Sequence, residues 1–211
     1  MLLALVDGQR SRPSPRLKGA CPYCSGAMIA KCGQLVIWHW AHKSRDCDPW
    51  SEGETEWHRA WKARFPEEWQ EVIARDPVSG ERHIADVRCP DGRVIEFQRS
   101  TILPQEVAAR EAFYAPMAWV IDGSKNELDP DHFRLALSGR VDADPRRVRL
   151  RWWSRGRLLA RWCASAHPVY LDFGGDFLWR LEKYDVIQKE GVVRQLTKAE
   201  FIADYLEPME S

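Results

Sequence analysis

Two strand-like segments, 82–89 (RHIADVRC) and 93–98 (RVIEFQ), flank an Asp-Gly pair at positions 91–92. Asp-Gly between alternating segments is a strong β-hairpin signal, because glycine adopts the positive φ that a tight turn requires. Each segment carries one carboxylate, Asp86 or Glu96, where a strand usually holds an apolar or neutral residue. The sequence therefore predicts an antiparallel strand pair with two acidic residues whose presence needs a reason.

The segments around this hairpin predict a sheet that is partly antiparallel and partly parallel. The capping box Ser51-x-x-Glu54 predicts a helix that begins at Ser51 and ends at Pro66. Three further elements are expected: a strand over 69–74, a helix that Pro104 opens and Pro116 ends, and a strand over 117–121. A strand meander followed by one crossover helix gives such a mixed sheet.

The composition is that of a globular chain. Of 211 residues, 45% are hydrophobic and 29% are charged. No stretch approaches the roughly 18–20 apolar residues of a membrane span, and the start, MLLALVDGQR, lacks the basic region of a signal peptide. We therefore expect a first β-strand there and a cytoplasmic protein whose six cysteines are thiols or metal ligands. Because Lys+Arg and Asp+Glu both number 31, a nucleic-acid partner would have to be bound by a local basic patch.

A cysteine pair and a histidine pair have the ligand types of a zinc site. Cys21-Pro-Tyr-Cys24 is followed, after 14 residues, by His39-Trp-Ala-His42. Two cysteines and two histidines are a common closed, tetrahedral set, although HxxH is shorter than the usual histidine spacing. Either of two other cysteines, Cys32 or Cys47, could replace one histidine. A redox CxxC beside two core histidines is the alternative.

The two hairpin carboxylates can share one face of the sheet. Side chains alternate along a strand, so Glu96 and Gln98 point the same way, and Asp86 can reach the same patch from the partner strand. Two adjacent carboxylates repel each other unless a proton or a cation intervenes, and a hard divalent ion prefers such oxygen ligands. The alternative is that both acids are surface charges on a solvated hairpin face.

Three motifs, in order, resemble the competence protein CoiA-like family: CPYC…HWAH, SEGETEWHRAWKARFP and IADVRCPDGRVIEFQRSTI. They cover roughly residues 20–122. That family is regarded as a predicted nuclease of the PD-(D/E)xK restriction-endonuclease-like superfamily, whose core has the same order of helix, three strands, helix and strand. The resemblance implies an α+β or α/β fold with three segments: an N-terminal strand and zinc-binding module (1–50), a nuclease core (51–123), and a β-rich C-terminal extension ending in a helix (124–211).

The resemblance also implies roles for individual residues. Asp86 and Glu96 are the ligands of a catalytic Mg²⁺ or Mn²⁺ ion, with Glu56 as the acidic residue of the first helix. A structural Zn²⁺ ion is bound by Cys21, Cys24, His39 and His42. His58 and Lys62 lie one turn apart and could contact phosphate, or could form a solvated helix face.

Gln98 stands where the superfamily usually has lysine. A glutamine amide can orient water, but it supplies no charge and takes no proton. Catalysis would then depend on the metal ion to lower the pKa of the attacking water.

The C-terminal extension contains an arginine-rich strand. Residues 147–152 (RVRLRW) alternate strictly, which places Arg147, Arg149 and Arg151 on one face. Nearby tryptophans make this stretch suited to phosphate contacts and base stacking, although a solvated face is the alternative. Two strands around Gly174-Gly175 and a helix starting at Thr197 follow.

The sequence thus predicts a metal-dependent deoxyribonuclease that hydrolyses phosphodiester bonds. Its partners would be DNA, including single-stranded or branched DNA, and recombination proteins. No membrane partner is expected, and the sequence does not indicate an oligomeric state. DNA uptake with recombination, repair and defence are all compatible settings. The alternative is a non-catalytic DNA-binding or scaffold protein with the same fold. Gln98 and the neutral net charge keep this alternative open, whereas the presence of Glu56, Asp86 and Glu96 together argues against it.

Overall fold

The computed structural model describes residues 1–35, 37–43, 48–50, 53–126, 129–153 and 157–207. The chain is mixed α+β and divides into two compact units, Met1–Arg88 and Cys89–Ser211. This boundary falls inside the predicted core segment 51–123, so the units follow a different division from the three predicted segments. Among the described residues, no helix has the length and apolar character that crossing a bilayer requires.

Five short antiparallel strands form a sheet in the first unit, in the spatial order β2-β1-β3-β4-β5. They are β1 (Ala4–Val6), β2 (Gln9–Ser11), β3 (Lys18–Ala20), β4 (Ala27–Lys31) and β5 (His39–His42). The predicted first strand is confirmed as β1. A buried cluster of Ala4, Cys21, Met28 and Trp40 packs on this sheet. Strands of three to five residues are too short for their periodicity to be recognised in the sequence.

The rest of the first unit is a helix followed by a hairpin. These elements are α1 (Glu56–Lys62), a 3-10 turn (Glu67–Trp69), β6 (Gln70–Arg75) and β7 (Arg82–Arg88). The predicted helix start is wrong, because Thr55 is the N-cap and its side chain accepts a hydrogen bond from the His58 N–H. Ser51 itself lies outside the described residues. In the β6–β7 register, Gln70 pairs with Val87 and Val72 with Ala85, so Glu71 lies opposite Asp86.

The second unit contains the remaining elements. They are β8 (Val94–Gln98), α2 (Pro104–Tyr114), β9 (Met117–Asp122), α3 (Asp129–Ala136), β10 (Leu137–Val141), β11 (Asp144–Arg151), α4 (Leu158–Trp162), β12 (Val169–Asp172), β13 (Phe177–Asp185), β14 (Glu190–Thr197) and α5 (Lys198–Leu206). Their strands follow the order β10-β11-β14-β13-β12-β9-β8. The predicted crossover is confirmed, because α2 links β8 to β9, which is parallel to it.

A parallel group, β8, β9 and β12, lies at one end of this order. All three strands are buried along their length, as is usual for parallel strands covered on both faces. Because parallel strands point the same way, the chain leaves β8 at Gln98 and β9 at Asp122 on the same edge. The predicted Asp-Gly turn is also confirmed: Gly92 has a φ of 91°, and the Cys89 N–H donates to the Arg93 carbonyl at 2.8 Å.

Candidate metal centre and candidate active site

Three of the predicted zinc ligands come together in the first unit. The ligand atoms of Cys21, Cys24 and His42 all lie within 4.8 Å of one another, and Cys24 Sγ is 3.5 Å from His42 Nε2. The turn between β3 and β4 supplies the two cysteines, and the last residue of β5 supplies the histidine. Two sulfurs and one imidazole nitrogen are zinc ligands, so this cluster can bind a metal ion such as zinc.

The backbone of the cysteine turn favours the thiolate form that a metal ion requires. The Tyr23 N–H donates to Cys21 Sγ at 3.4 Å, and the Gly26 N–H donates to Cys24 Sγ at 3.3 Å. Hydrogen bonds to a charged form stabilise that form. A Cβ atom on Gly26 would lie 3.1 Å from Cys24 Sγ, so glycine leaves the sulfur the space it needs.

The predicted fourth ligand, His39, does not join this cluster. Because β5 is a strand, residues three apart lie on opposite faces and about 10 Å from each other. His39 instead donates from Nδ1 to the Ile37 carbonyl at 2.7 Å. Cys32 is likewise absent from the cluster, and Cys47 lies outside the described residues.

A buried charge cluster lies between α1 and the β6–β7 hairpin. Lys62 Nζ is 2.7 Å from Glu54 Oε2, 2.9 Å from Glu71 Oε1 and 3.8 Å from Asp86 Oδ1. The side chains of Lys62, Glu54 and Glu71 are at most 5% exposed, whereas Asp86 is 25% exposed. Three carboxylates thus lie around one side-chain ammonium, and Asp86 is the most accessible of them.

Glu54, Lys62, Glu71 and Asp86 form the Lys62 cluster, and interactions among these residues fix their charges. Burial alone would lower the pKa of Lys62, but Glu71, Asp86 and Glu54 outweigh burial and hold that pKa above its usual value. Burial alone would raise the pKa of Glu71, but Lys62, the N-terminal ammonium and the Leu2 N–H lower it to about 2. Lys62 therefore stays an ammonium and Glu71 a carboxylate near neutral pH.

The residues predicted as site residues on the first helix differ from the prediction in their exposure and contacts. Glu56 is exposed, and Glu54, which precedes the helix, is the acid that reaches Lys62. Lys62 is buried, and its ammonium contacts carboxylates instead of facing solvent. His58 is also buried, with Nδ1 2.8 Å from Thr55 Oγ1. Sequence reasoning missed Glu71, which stands at a positive φ of 48° in a predicted strand.

The other predicted carboxylate, Glu96, is buried on β8 in the second unit. Arg110 Nη1 of α2 donates to Glu96 Oε2 at 3.0 Å, and Arg110 also bonds Glu106. Gln98 is buried on the same strand face, and its Nε2 donates to the Ser100 carbonyl at 3.1 Å. Asp86 and Glu96 belong to different compact units, so their predicted convergence stays a prediction.

The predicted arginine strand is β11, but acidic residues neutralise much of its positive charge. Arg147 bonds Glu182 at 2.8 Å and Asp142 at 2.7 Å, and Arg151 lies 3.6 Å from Glu190. Arg149 is exposed and forms no ion pair with any residue that the structure describes. The strand itself is confirmed, and its role in nucleic-acid binding stays a prediction.

Comparison with known proteins gives one family match. Residues 16–49 match the model of the competence protein CoiA N-terminal domain. This segment contains the turn and the strand that supply Cys21, Cys24 and His42, so the match supports a CoiA-like protein on the part of the chain that forms the metal cluster. No curated protein and no solved structure matches the chain.

Proposed function

We propose that this protein is a metal-dependent deoxyribonuclease of the CoiA type that acts on DNA during competence. The observation that carries the proposal is the Lys62 cluster, in which three carboxylates lie around one side-chain ammonium and Asp86, at 25% exposure, is the most accessible of them. Closely spaced buried carboxylates cost folding free energy unless cations neutralise them, and a divalent cation at Asp86 would add to the charges of Lys62 and the N-terminal ammonium.

The donor atoms of the cluster fit magnesium or manganese. Asp86 presents carboxylate oxygens at the solvent-facing side, and Glu54 Oε1 is buried without a hydrogen-bond partner among the residues described. Carboxylate oxygens are the ligands that these hard cations prefer. The family resemblance implies Glu96 as a further ligand, which stays a prediction because Glu96 belongs to the other compact unit.

Lys62 supplies the positive charge that Gln98 lacks. A bound divalent ion would lower the pKa of a water molecule and offset the charge of the phosphate. The Lys62 ammonium would act on a phosphate at Asp86 as a nearby positive charge rather than by direct contact, because its side chain is 2% exposed and bonded to Glu54 and Glu71. Since the pKa of Lys62 is raised, this residue stays protonated and cannot accept the proton of the attacking water.

Two neighbouring glutamates test this assignment. Glu54→Gln should reduce cleavage of labelled DNA by about 100-fold or more in the presence of Mn²⁺, because it changes an oxygen donor beside Lys62. Glu56→Gln, two residues away and exposed, should retain wild-type cleavage. Linear, single-stranded and branched DNA should all be assayed, with and without the metal ion. Equal activity of the two variants would refute the assignment of Glu54.

We further propose that Cys21, Cys24 and His42 bind a structural zinc ion. Cys21 belongs to the core of the five-stranded sheet, so metal loss would remove a contact on which that sheet depends. His42→Ala should lower the zinc content of purified protein and increase proteolysis of residues 1–43, whereas His39→Ala should change neither. Full zinc content in His42→Ala would refute this ligand set.

A non-catalytic DNA-binding protein is the second candidate, and the glutamine at position 98 favours it. In that case wild-type protein would cut none of the DNA structures. It would also show no rise in melting temperature with Mg²⁺ or Mn²⁺, a rise that a metal bound only to the native state must produce.

A further inference from the structure

A small cavity of about 130 Å³ lies in the second unit, where β8 and β9 end. Its walls come from the segment after β8, the segment after β9 and one face of α4. The carboxyl edge of parallel strands is the usual location of ligand sites in α/β sheets. This cavity lies outside the Lys62 cluster and outside the zinc-ligand cluster.

The walls of this cavity carry more positive than negative charge. Four cations line it: Arg99, Lys125, Arg157 and Arg161. The two lining acids are both engaged, since Asp122 pairs with Arg99 at 2.8 Å and Asp129 accepts from Asn126 at 2.8 Å. Lys125, Arg157 and Arg161 form no ion pair within the described residues. The wall therefore has an excess of two positive charges.

The arginines of the cavity are arranged to bind one anion. Arg157 and Arg161 are four residues apart, which places them on one side of the α4 turn. Arg99 Nη1 lies 2.8 Å from Asp122 Oδ2, an oxygen that accepts no hydrogen bond from the described residues, while Asp122 Oδ1 accepts from the N–H and hydroxyl of Ser124 at 2.9 and 2.6 Å. Planar guanidinium groups on several sides of a cavity suit the oxygens of a phosphate, which they can bind in a bidentate manner.

We propose that this cavity is a binding site for a phosphomonoester, supplied by the terminal phosphate of a DNA strand. Its volume is below the roughly 300–1,000 Å³ of sites for whole small molecules, so a single phosphate group fits better than a nucleoside. A phosphomonoester carries a charge of about −1.5 to −2 at pH 7, which matches the excess charge of the wall.

The position of the cavity connects it with the proposed nuclease, and the choice of DNA rests on that function. Ser100 lines the cavity, and its carbonyl accepts the Gln98 side-chain hydrogen bond. A terminal phosphate bound in the cavity would therefore be held by the segment that directly follows β8, the strand that carries Glu96 and Gln98.

Thermal unfolding with inorganic phosphate tests the cavity independently of cleavage. Sodium phosphate should raise the melting temperature of the wild type above that in sodium chloride of equal ionic strength, because the anion binds the native state. Arg157→Gln/Arg161→Gln should lose most of this rise. Arg134→Gln/Arg140→Gln removes two exposed arginines of the same unit and should keep it. An equal rise in both double variants, or none in the wild type, would overturn the site.

Oligonucleotides with different ends test the source of the phosphate. With Asp86→Asn protein, to prevent cutting, fluorescence anisotropy should show about tenfold tighter binding of a 5′- or 3′-phosphorylated strand than of the hydroxyl-ended strand. The Arg157→Gln/Arg161→Gln change should abolish that preference. Equal binding of all ends, or tighter binding of a phosphoserine peptide, would overturn the DNA assignment. If the end preference persists but wild-type protein never cuts DNA, the nuclease proposal fails and the cavity stands.

Discussion

The Lys62 cluster and the arginine strand β11 are both rich in charge, but they differ in exposure and in balance. Lys62 is buried, and its Nζ lies no more than 3.8 Å from each of three carboxylates. Arg147 is 29% exposed, and it shares Glu182 with Arg194, which also pairs with Asp144. Exposed pairs contribute little to stability, whereas breaking a buried pair leaves a charge without compensation. Burial, rather than the number of charges, therefore decides which region matters energetically.

The largest effect should come from removing the cation of the buried cluster. Lys62→Met keeps most of the side-chain volume but leaves the carboxylates uncompensated, so the free energy of unfolding should fall by about 3–5 kcal/mol. Urea unfolding at pH 7 measures this. Lys31→Met, at an exposed position of β4, should change stability by less than about 0.5 kcal/mol. Similar losses in the two variants would remove the contrast between buried and exposed charge.

Acid should destabilise the first unit through Glu71. Its pKa is lowered from 4.5 to about 2 in the folded state, so its contribution is present above pH 4.5 and is lost as the pH falls toward 2. Glu71→Gln should flatten the dependence of unfolding free energy on pH in that window. Burial would raise the pKa of Glu182 on β13, but Arg147 and Arg194 lower it through more exposed ion pairs, so Glu182→Gln should flatten the dependence less. Parallel curves for all three proteins would contradict this.

DNA binding should depend on Arg149 more than on Arg147. Arg147 already bonds two acids, whereas Arg149 is exposed without an ion pair in the described part of the chain. Arg149→Gln should therefore lower the slope of log K against log salt by up to about 0.9, the value for one phosphate contact. Arg147→Gln serves as the matched control. An unchanged slope for Arg149→Gln would make β11 an ordinary solvated face.

The smallest effect should be the stability change at Arg147. Because its ion pairs are partly exposed, Arg147→Gln should cost about 0.2–1 kcal/mol at low salt. The difference from wild type should shrink in 0.5 M NaCl, since salt screens exposed charges. A salt-independent loss would show that Arg147 acts through packing instead.

Most core elements were predictable because their signals are local. Alternation and the Asp-Gly pair predict β7 and β8, and Pro104 with Pro116 brackets α2 within one residue. The start of α1 was not predictable, since Ser51 and Thr55 can both cap a helix and the sequence does not choose between them. That choice decides the candidate site, because Glu54 reaches Lys62 only when it lies outside the helix.

Other site features depended on information that a motif does not contain. The HxxH motif would place both histidines together on a helix, but on β5 it separates them. Glu71 carries no motif, and only the register of β6 with β7 places it opposite Asp86. The acids that neutralise Arg147 are likewise distant in sequence: Glu182 is 35 positions away, so the arginine pattern alone overstated the positive charge of the strand.

The shared carboxylate of Glu182 has an evolutionary consequence. Arg147 and Arg194 lie opposite each other across β11 and β14, and Glu182 accepts a hydrogen bond from each, at 2.8 and 2.9 Å. Replacing Glu182 alone would remove the one acid that the two arginines share, so two like charges would face each other on adjacent strands with only their separate partners, Asp142 and Asp144. Such a mutation is tolerated best in a lineage that has already lost one of the arginines. Among descendants of a common ancestor, positions 147, 182 and 194 should therefore covary, while position 149 should vary independently of them.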